Sequence, residues 1–292
     1  MEITIVCVPF QMDITRWGCA RGPQAFLDQG LVQQLQARGH QVLAPVWIEL
    51  PNSERTRDTV TNLGHIARRT AAVVSEALRR SNSFVLVLEG DCTHALGAIG
   101  GLAQAQWTPG VVWFDAHGDL NTMETTTSGY WGGMPYAVAL GWDLDDWRVA
   151  AGLEPPVRPE AAALIGASDL DPGEIEALQR HSIMRLDAVD MVEPGVAERI
   201  QALLTPNADE ATAWYLHIDL DVAGPEEAPG GMTPAPYWPP RQNLVEAVVA
   251  TVQSVPVKVA SLATYNPSGD VNGRAGRFGL DMALAIIDSL GN

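Results

Sequence analysis

Asp115-Ala-His117-Gly-Asp119 carries three side chains able to bind a metal, at alternate positions, and Asp219-Leu-Asp221 repeats that spacing further along the chain. Each group follows a short apolar run, GVVWF in the first case and YLHI in the second. Alternate residues at a strand end point the same way, so Asp115, His117 and Asp119 can converge if the chain curls around an ion. Four carboxylates in one pocket cannot all stay ionised without countercharge. Two divalent cations would supply it, and a carboxylate-rich set with few imidazoles suits a hard ion, manganese first. A lone D-x-H-x-D also occurs in solvated loops and turns. The second D-x-D at another strand end is what favours a metal site.

The elements that must position these groups are legible as short apolar runs alternating with longer amphipathic ones. Strands are expected at ITIVCVP, QVLAPVWIEL, SFVLVLEG, GVVWFDA, AAALIGA, WYLHIDLDV and VKVASLATY. Helices are expected over 23–37, 58–80, 93–105, 172–180, 196–204, 242–252 and 277–290. Regular alternation of strand and helix implies an α/β fold with a parallel sheet covered on both faces. Ligands bind beyond the carboxyl ends of strands in such sheets. The strand that ends in Asp91-Cys92 therefore joins the two Asp-rich ends in one expected site. No linker divides the chain, and residues 1–292 are expected to form one domain; the Pro- and Gly-rich stretch 224–240 follows a strand end and is read as an active-site loop.

Composition narrows the partners. A formal net charge of -17 would repel nucleic acid and anionic membranes, so neither is an expected partner. Three cysteines in 292 residues do not suggest a disulfide framework and fit reduced thiols. The start, MEITIVCVPF, lacks the basic region and cleavage site of a signal peptide, and no apolar stretch reaches the length of a membrane span. A cytoplasmic location is the expectation.

Taken together, WGCARGP, GDCTH, FDAHGD, HIDLDV and TYNP resemble the arginase and ureohydrolase family over nearly the whole chain. The resemblance implies a three-layer α/β/α fold with a central parallel sheet of about eight strands. It also implies two divalent metal ions, manganese in first place, with Asp115 and Asp219 bridging them. Asp119 and Cys92 would complete one metal site, and His117 and Asp221 the other. The segment from Asp119 to Gly129 is similar to the arginase loop that holds a substrate α-carboxylate, and its matching residues are Asn121, Thr126 and Ser128. IGASDLDPGE is similar to the arginase segment that places Asp171 and Glu174 near the α-amino group. A small α-amino acid is thus the expected partner. Homo-oligomers are common in the resembled family, so one is possible here.

Four departures from the family pattern matter. Cys92 stands where the family has a histidine ligand, and Gly132 stands where it has the histidine of G-N-x-H-G-M-P. Gly224-Pro225 replaces an Asp-Pro, and Thr264 replaces the Glu that pairs with a guanidinium. Cys92 has two readings, a thiolate ligand or a small buried hydrophobe, and His94 is a rival ligand. A thiolate there would shift metal preference towards zinc, iron or cobalt. His217, at the family's Ser position, is the candidate for a catalytic side chain, although an orienting or core role is the preferred reading. The pairing of Cys92 with Gly132 is similar to the branch of the family that cleaves Nω-hydroxy-L-arginine. These features imply a metal-dependent hydrolase of an arginine-like α-amino acid. The alternatives are another hydrolase of the same fold, acting on a different guanidino or formimino compound, and an impaired relative that only binds.

Overall fold

The computed structural model describes residues 1–231 and 235–290. Among the described residues, nine strands form one sheet: β1 (Glu2–Val8), β2 (Gln41–Val42), β3 (Val46–Trp47), β4 (Ser83–Glu89), β5 (Pro109–Phe114), β6 (Ala162–Ile165), β7 (Met184–Leu186), β8 (Ala213–Asp219) and β9 (Val257–Ala263). All pairings are parallel, in the order β2-β1-β4-β9-β8-β5-β6-β7, with β3 also beside β1.

Both faces of the sheet are buried, which is why its strands read as unbroken apolar runs. In β1, Ile3, Ile5 and Cys7 face a core with Phe26, Leu31 and Phe278. Val6 and Val8 face a second core with Ile66, Val74 and Ile99. Each buried Val, Leu or Ile contributes about 1.5–3 kcal/mol of apolar transfer. The helices Gly22–Asp28, Leu31–Ala37, Val196–Leu204, Arg241–Ser254 and Arg274–Ser289 pack on the first side. Thr59–Leu78, Ala95–Gln104, Pro135–Ala139 and Asp145–Ala150 pack on the second. The result is the expected three-layer arrangement.

Several boundaries differ from the sequence expectation. The strand expected at 41–50 is broken into β2 and β3. The helix expected over 23–37 is interrupted at Gly30, whose φ of 87° leaves the right-handed region. The helix expected from Thr93 starts at Ala95, after a 3-10 turn at Cys92–His94. Strand β7 and the helices Pro135–Ala139 and Asp145–Ala150 were hidden by their length, too short for a periodic pattern. Residues 232–234 of the Pro- and Gly-rich loop lie outside the described residues.

The consequence for function lies in the strand order. β4, β9, β8 and β5 are neighbours in the centre of the sheet. Their carboxyl ends therefore deliver Cys92, Thr264, Asp219 and Asp115 to one place.

Candidate metal centre and active site

A cavity of about 230 Å³ opens at these strand ends. Its walls include Cys92, Asp115, His117, Asp119, Asp219 and Asp221, and also Asn121, Thr126, Ser128, Asp171 and Glu174. His217 is absent from the walls, and so is the rival ligand His94.

Asp115 leaves β5 almost fully buried. Its Oδ1 accepts from the His117 backbone N–H at 2.7 Å, and its Oδ2 from the Trp113 indole at 3.1 Å. The chain then curls, with Asp119 at a φ of 51°. The Asp119 carbonyl fixes this turn by accepting from Tyr136 N at 3.0 Å and Ala137 N at 3.1 Å. His117 Nδ1 lies 3.2 Å from Asp115 and 3.3 Å from Asp221 Oδ2, so the imidazole joins the ends of β5 and β8. Asp219 Oδ1 accepts from Asp221 N at 2.8 Å and from the Thr264 hydroxyl. Thr264 has a φ of 60°, unusual for a β-branched residue, and such strain is concentrated at functional sites.

Burial raises the pKa of Asp119, Asp219 and Asp221, and charge repulsion from Asp115 adds to each shift. Burial also presses Asp115 upward, but the hydrogen bond and charge of His117 outweigh it and hold this carboxyl low. Burial opposes charge on His117, yet its bonds to Asp115 and Asp221 prevail and keep it protonated. The Cys92 thiol is pushed well up, by burial first and then by Asp219, Asp119 and Asp115. The cavity is thus short of positive charge. Its donors also point inward: His117 Nε2, Asp119 Oδ2 and Asp221 Oδ1 are buried with no hydrogen-bond partner among the described residues. Donor atoms of Asp115, His117 and Asp221 lie within 4.8 Å of one another, as do those of Cys92, Asp115 and His217. A carboxylate-rich donor set with orphaned buried atoms fits divalent cations.

The two histidines that sequence reasoning left open have definite places. His94 is buried, and its Nε2 lies 2.9 Å from the Phe10 carbonyl. The same nitrogen lies 3.6 Å from Asp91 Oδ1, and the ring is not part of the cavity wall. His217 lies behind Cys92, with Nε2 3.3 Å from Sγ. Its Nδ1 is 2.9 Å from both the Tyr215 hydroxyl and the Ser261 Oγ, and its ring stacks on Trp113 at 3.8 Å. Burial lowers its pKa to about 3, against the opposing pull of Asp115, so the ring is neutral. The candidate catalytic His217 thus stands outside the cavity wall, with one ring nitrogen facing Cys92 and the other facing Tyr215 and Ser261. It is positioned to hold Cys92.

The outer wall comes from the 121–133 segment and the start of the helix Pro172–Arg180. Asn121 donates to Asp171 Oδ2 at 2.9 Å, and Thr127 reaches the same carboxylate at 3.4 Å. Thr126 and Ser128 hydroxyls accept from Gly129 N and Tyr130 N, at 3.0 and 3.2 Å. Glu174 accepts from Leu120 N at 2.9 Å and from Asp171 N at 2.8 Å, the latter being the return half of a capping box. Both its oxygens serve the backbone, so Glu174 builds the wall. Burial raises it to about 7 in spite of those two bonds. Gln11 also lines the cavity and carried no motif signal, while Cys19 and Tyr130 lie within segments read for other residues; the three meet only in the fold.

A profile of the Arginase family matches residues 1–287. The chain belongs to the arginase family. It is 31% identical over 239 residues to an arginase of Bacillus caldovelox, covering 80% of each chain. The crystal structure of Bacillus subtilis arginase superimposes with a TM-score of 0.88 at 26% identity, over 100% of this chain and 99% of the other. The formimidoylglutamase of Bacillus subtilis shares the fold, with a TM-score of 0.77 at 18% identity, covering 99% of this chain and 87% of that one. Arginase-family hydrolases use a dinuclear metal site, and the sheet here matches the arginase architecture. Among the described residues, no helix is long and apolar enough to cross a membrane.

Proposed function

We propose that residues 1–292 form one arginase-like domain that hydrolyses the guanidino C–N bond of an arginine-like α-amino acid, with Nω-hydroxy-L-arginine as the leading substrate. The observation that carries this reading is the convergence of Cys92, Asp115, His117, Asp119, Asp219 and Asp221 on one cavity, walled by the Asn121–Ser128 loop. Cys92, Asp115, Asp119 and Asp219 would hold one cation, and His117, Asp115, Asp219 and Asp221 the other. When bound, the pair supplies Lewis acidity and lowers the pKa of a water, with manganese first in line.

The chain's own residues then hold and orient the substrate. Asn121, Thr126 and Ser128 offer amide and hydroxyl groups to the α-carboxylate, and Asp171 offers a carboxylate to the α-amino group. One water adds to the hydroxyguanidine carbon, the bond to the side-chain nitrogen breaks, and that nitrogen leaves as the amine after gaining a proton. The products are hydroxyurea and L-ornithine. Thr264 supports the hydroxyguanidine reading. A guanidinium buried without a facing carboxylate is an unpaired charge, whereas the less basic hydroxyguanidine tolerates a neutral hydroxyl there. The same feature favours, as a second reading, another hydrolase of this fold whose substrate bears a less basic formimino or guanidino group. A cytoplasmic location belongs to the proposal as well.

The test is release of ornithine from arginine and from Nω-hydroxyarginine, and of putrescine from agmatine, assayed in parallel with manganese and with cobalt. Preference for Nω-hydroxyarginine is expected. Cleavage of agmatine alone would overturn the α-carboxylate reading. Loss of all activity together with fewer than two metals per chain would indicate a binding protein instead.

A further inference from the structure

The space left by the missing side chain at Gly132 is filled. A Cβ built on Gly132 would lie 2.7 Å from Cζ and 3.0 Å from Cδ1 of Tyr130, closer than real Cβ contacts allow. Gly132 itself is buried, in the middle of the turn Trp131–Gly133. A side chain at 132 would therefore require the Tyr130 ring to leave its present position. The glycine makes room for a phenol in the cavity wall.

The surroundings give that phenol a defined hydrogen-bond polarity. Gln11 is buried, and its Oε1 accepts from Cys19 N at 3.1 Å. A backbone N–H can pair only with the amide oxygen, so this bond fixes which way the Gln11 amide points. The Gln11 side chain also hydrogen-bonds Tyr130. The group it presents is then its NH₂, a donor, and the phenol oxygen accepts. The hydrogen on the phenol oxygen remains to be donated. Asp91, the acidic neighbour on that side, accepts from Met12 N at 2.6 Å, from Thr93 N at 3.2 Å and from the Thr93 hydroxyl. Burial keeps the phenol neutral, with the Asp91 and Cys92 side adding to the shift.

We propose that Tyr130 is the specificity-determining residue at the metal end of the cavity, donating its hydrogen bond to the terminal hydroxyl oxygen of a hydroxyguanidine. The inference rests on the function proposed above and deepens it. A plain guanidinium presents only N–H donors at that end, so it offers the phenol hydrogen no acceptor. A site built around a substrate hydroxyl discriminates strongly against an analogue lacking it, because its own polar group is then left unpaired.

Tyr130→Phe removes the hydroxyl and keeps the ring. In metal-loaded enzyme, the ratio of kcat/KM for Nω-hydroxyarginine over arginine should fall by at least about tenfold, and the ratio of their calorimetric Kd values should move the same way. Gly132→Ala tests the packing independently of catalysis. It should lower Tm beside Tyr130 and have little effect in a Tyr130→Ala background. Unchanged ratios in Tyr130→Phe overturn the assignment of Tyr130 alone. Equal effects of Gly132→Ala in both backgrounds overturn the exclusion of the two side chains. Wild-type protein that binds neither compound overturns the proposed function as well.

Discussion

The thiol of Cys92 donates a hydrogen bond to Oδ2 of Asp219 at 2.9 Å, across 127 residues of sequence. The two meet because β4 and β8 both border β9. The contact puts a sulfur against a carboxylate proposed to bridge two cations, with His217 behind the sulfur at 3.3 Å.

Cys92 is accordingly expected to ligate as a thiolate. Cobalt-loaded wild-type protein should show a sulfur-to-cobalt charge-transfer band in the near ultraviolet. Cys92→Ala should lose the band and weaken one metal site by at least roughly tenfold. Cys92→His should retain two metals and bind manganese more tightly relative to zinc. An unchanged spectrum and metal content in Cys92→Ala would assign Cys92 to the core.

Metal binding should release protons. Before a cation enters, burial raises Asp119, Asp219 and Asp221, keeps Cys92 a thiol, and the two Asp partners keep His117 charged. All must lose their protons to coordinate, so the loaded site holds fewer protons than the empty one. Apparent affinity therefore rises with pH and falls in acid. Calorimetric titration in two buffers of different ionisation enthalpy measures the number released, and equal heats in both would contradict the prediction.

Glu174 should make folding stability pH-dependent in the opposite sense to an ordinary salt-bridged carboxylate. Burial raises its pKa from 4.5 to about 7, so between those values the folded chain holds a proton that the unfolded chain has lost. Stability from this group falls as pH rises through the window, with the full cost, at most about 3 kcal/mol, present above it. Urea unfolding at roughly pH 5 and roughly pH 8 should show a smaller decline in Glu174→Gln than in wild type. Parallel pH profiles would refute the assignment.

Gly90 should tolerate no side chain. A Cβ there would lie 2.6 Å from the carbonyl carbon of Phe10, where the chain leaving β4 passes the chain leaving β1. Backbone on both sides leaves no rotamer to move. Gly90→Ala is expected to cost at least about 1–3 kcal/mol by urea unfolding. Because Cys92 follows two residues later, it should also reduce retained metal. Wild-type stability in Gly90→Ala would show that the two segments can separate.

Much of the candidate site was legible because its chemistry is local. Asp115-Ala-His117-Gly-Asp119 and Asp219-Leu-Asp221 each follow a buried strand, and strands buried on both faces announce themselves as continuous apolar runs. Met184–Leu186 did not, because three residues carry no periodicity. The break at Gly30 was equally hidden, since its flanking helices share one apolar face towards the same core.

The sequence by itself therefore determined the α/β alternation, the Asp- and His-rich strand ends and the substitutions at Cys92, Gly132 and Thr264. Only the tertiary structure decided that His217 stands behind Cys92, that His94 turns to Phe10, that Glu174 serves the backbone, and that Tyr130 fills the space above Gly132. The physical reason is that side-chain periodicity records which face of an element is buried. It does not record which distant strand ends become neighbours, and these contacts depend on a sheet order, β4-β9-β8-β5, that differs from the order in the chain.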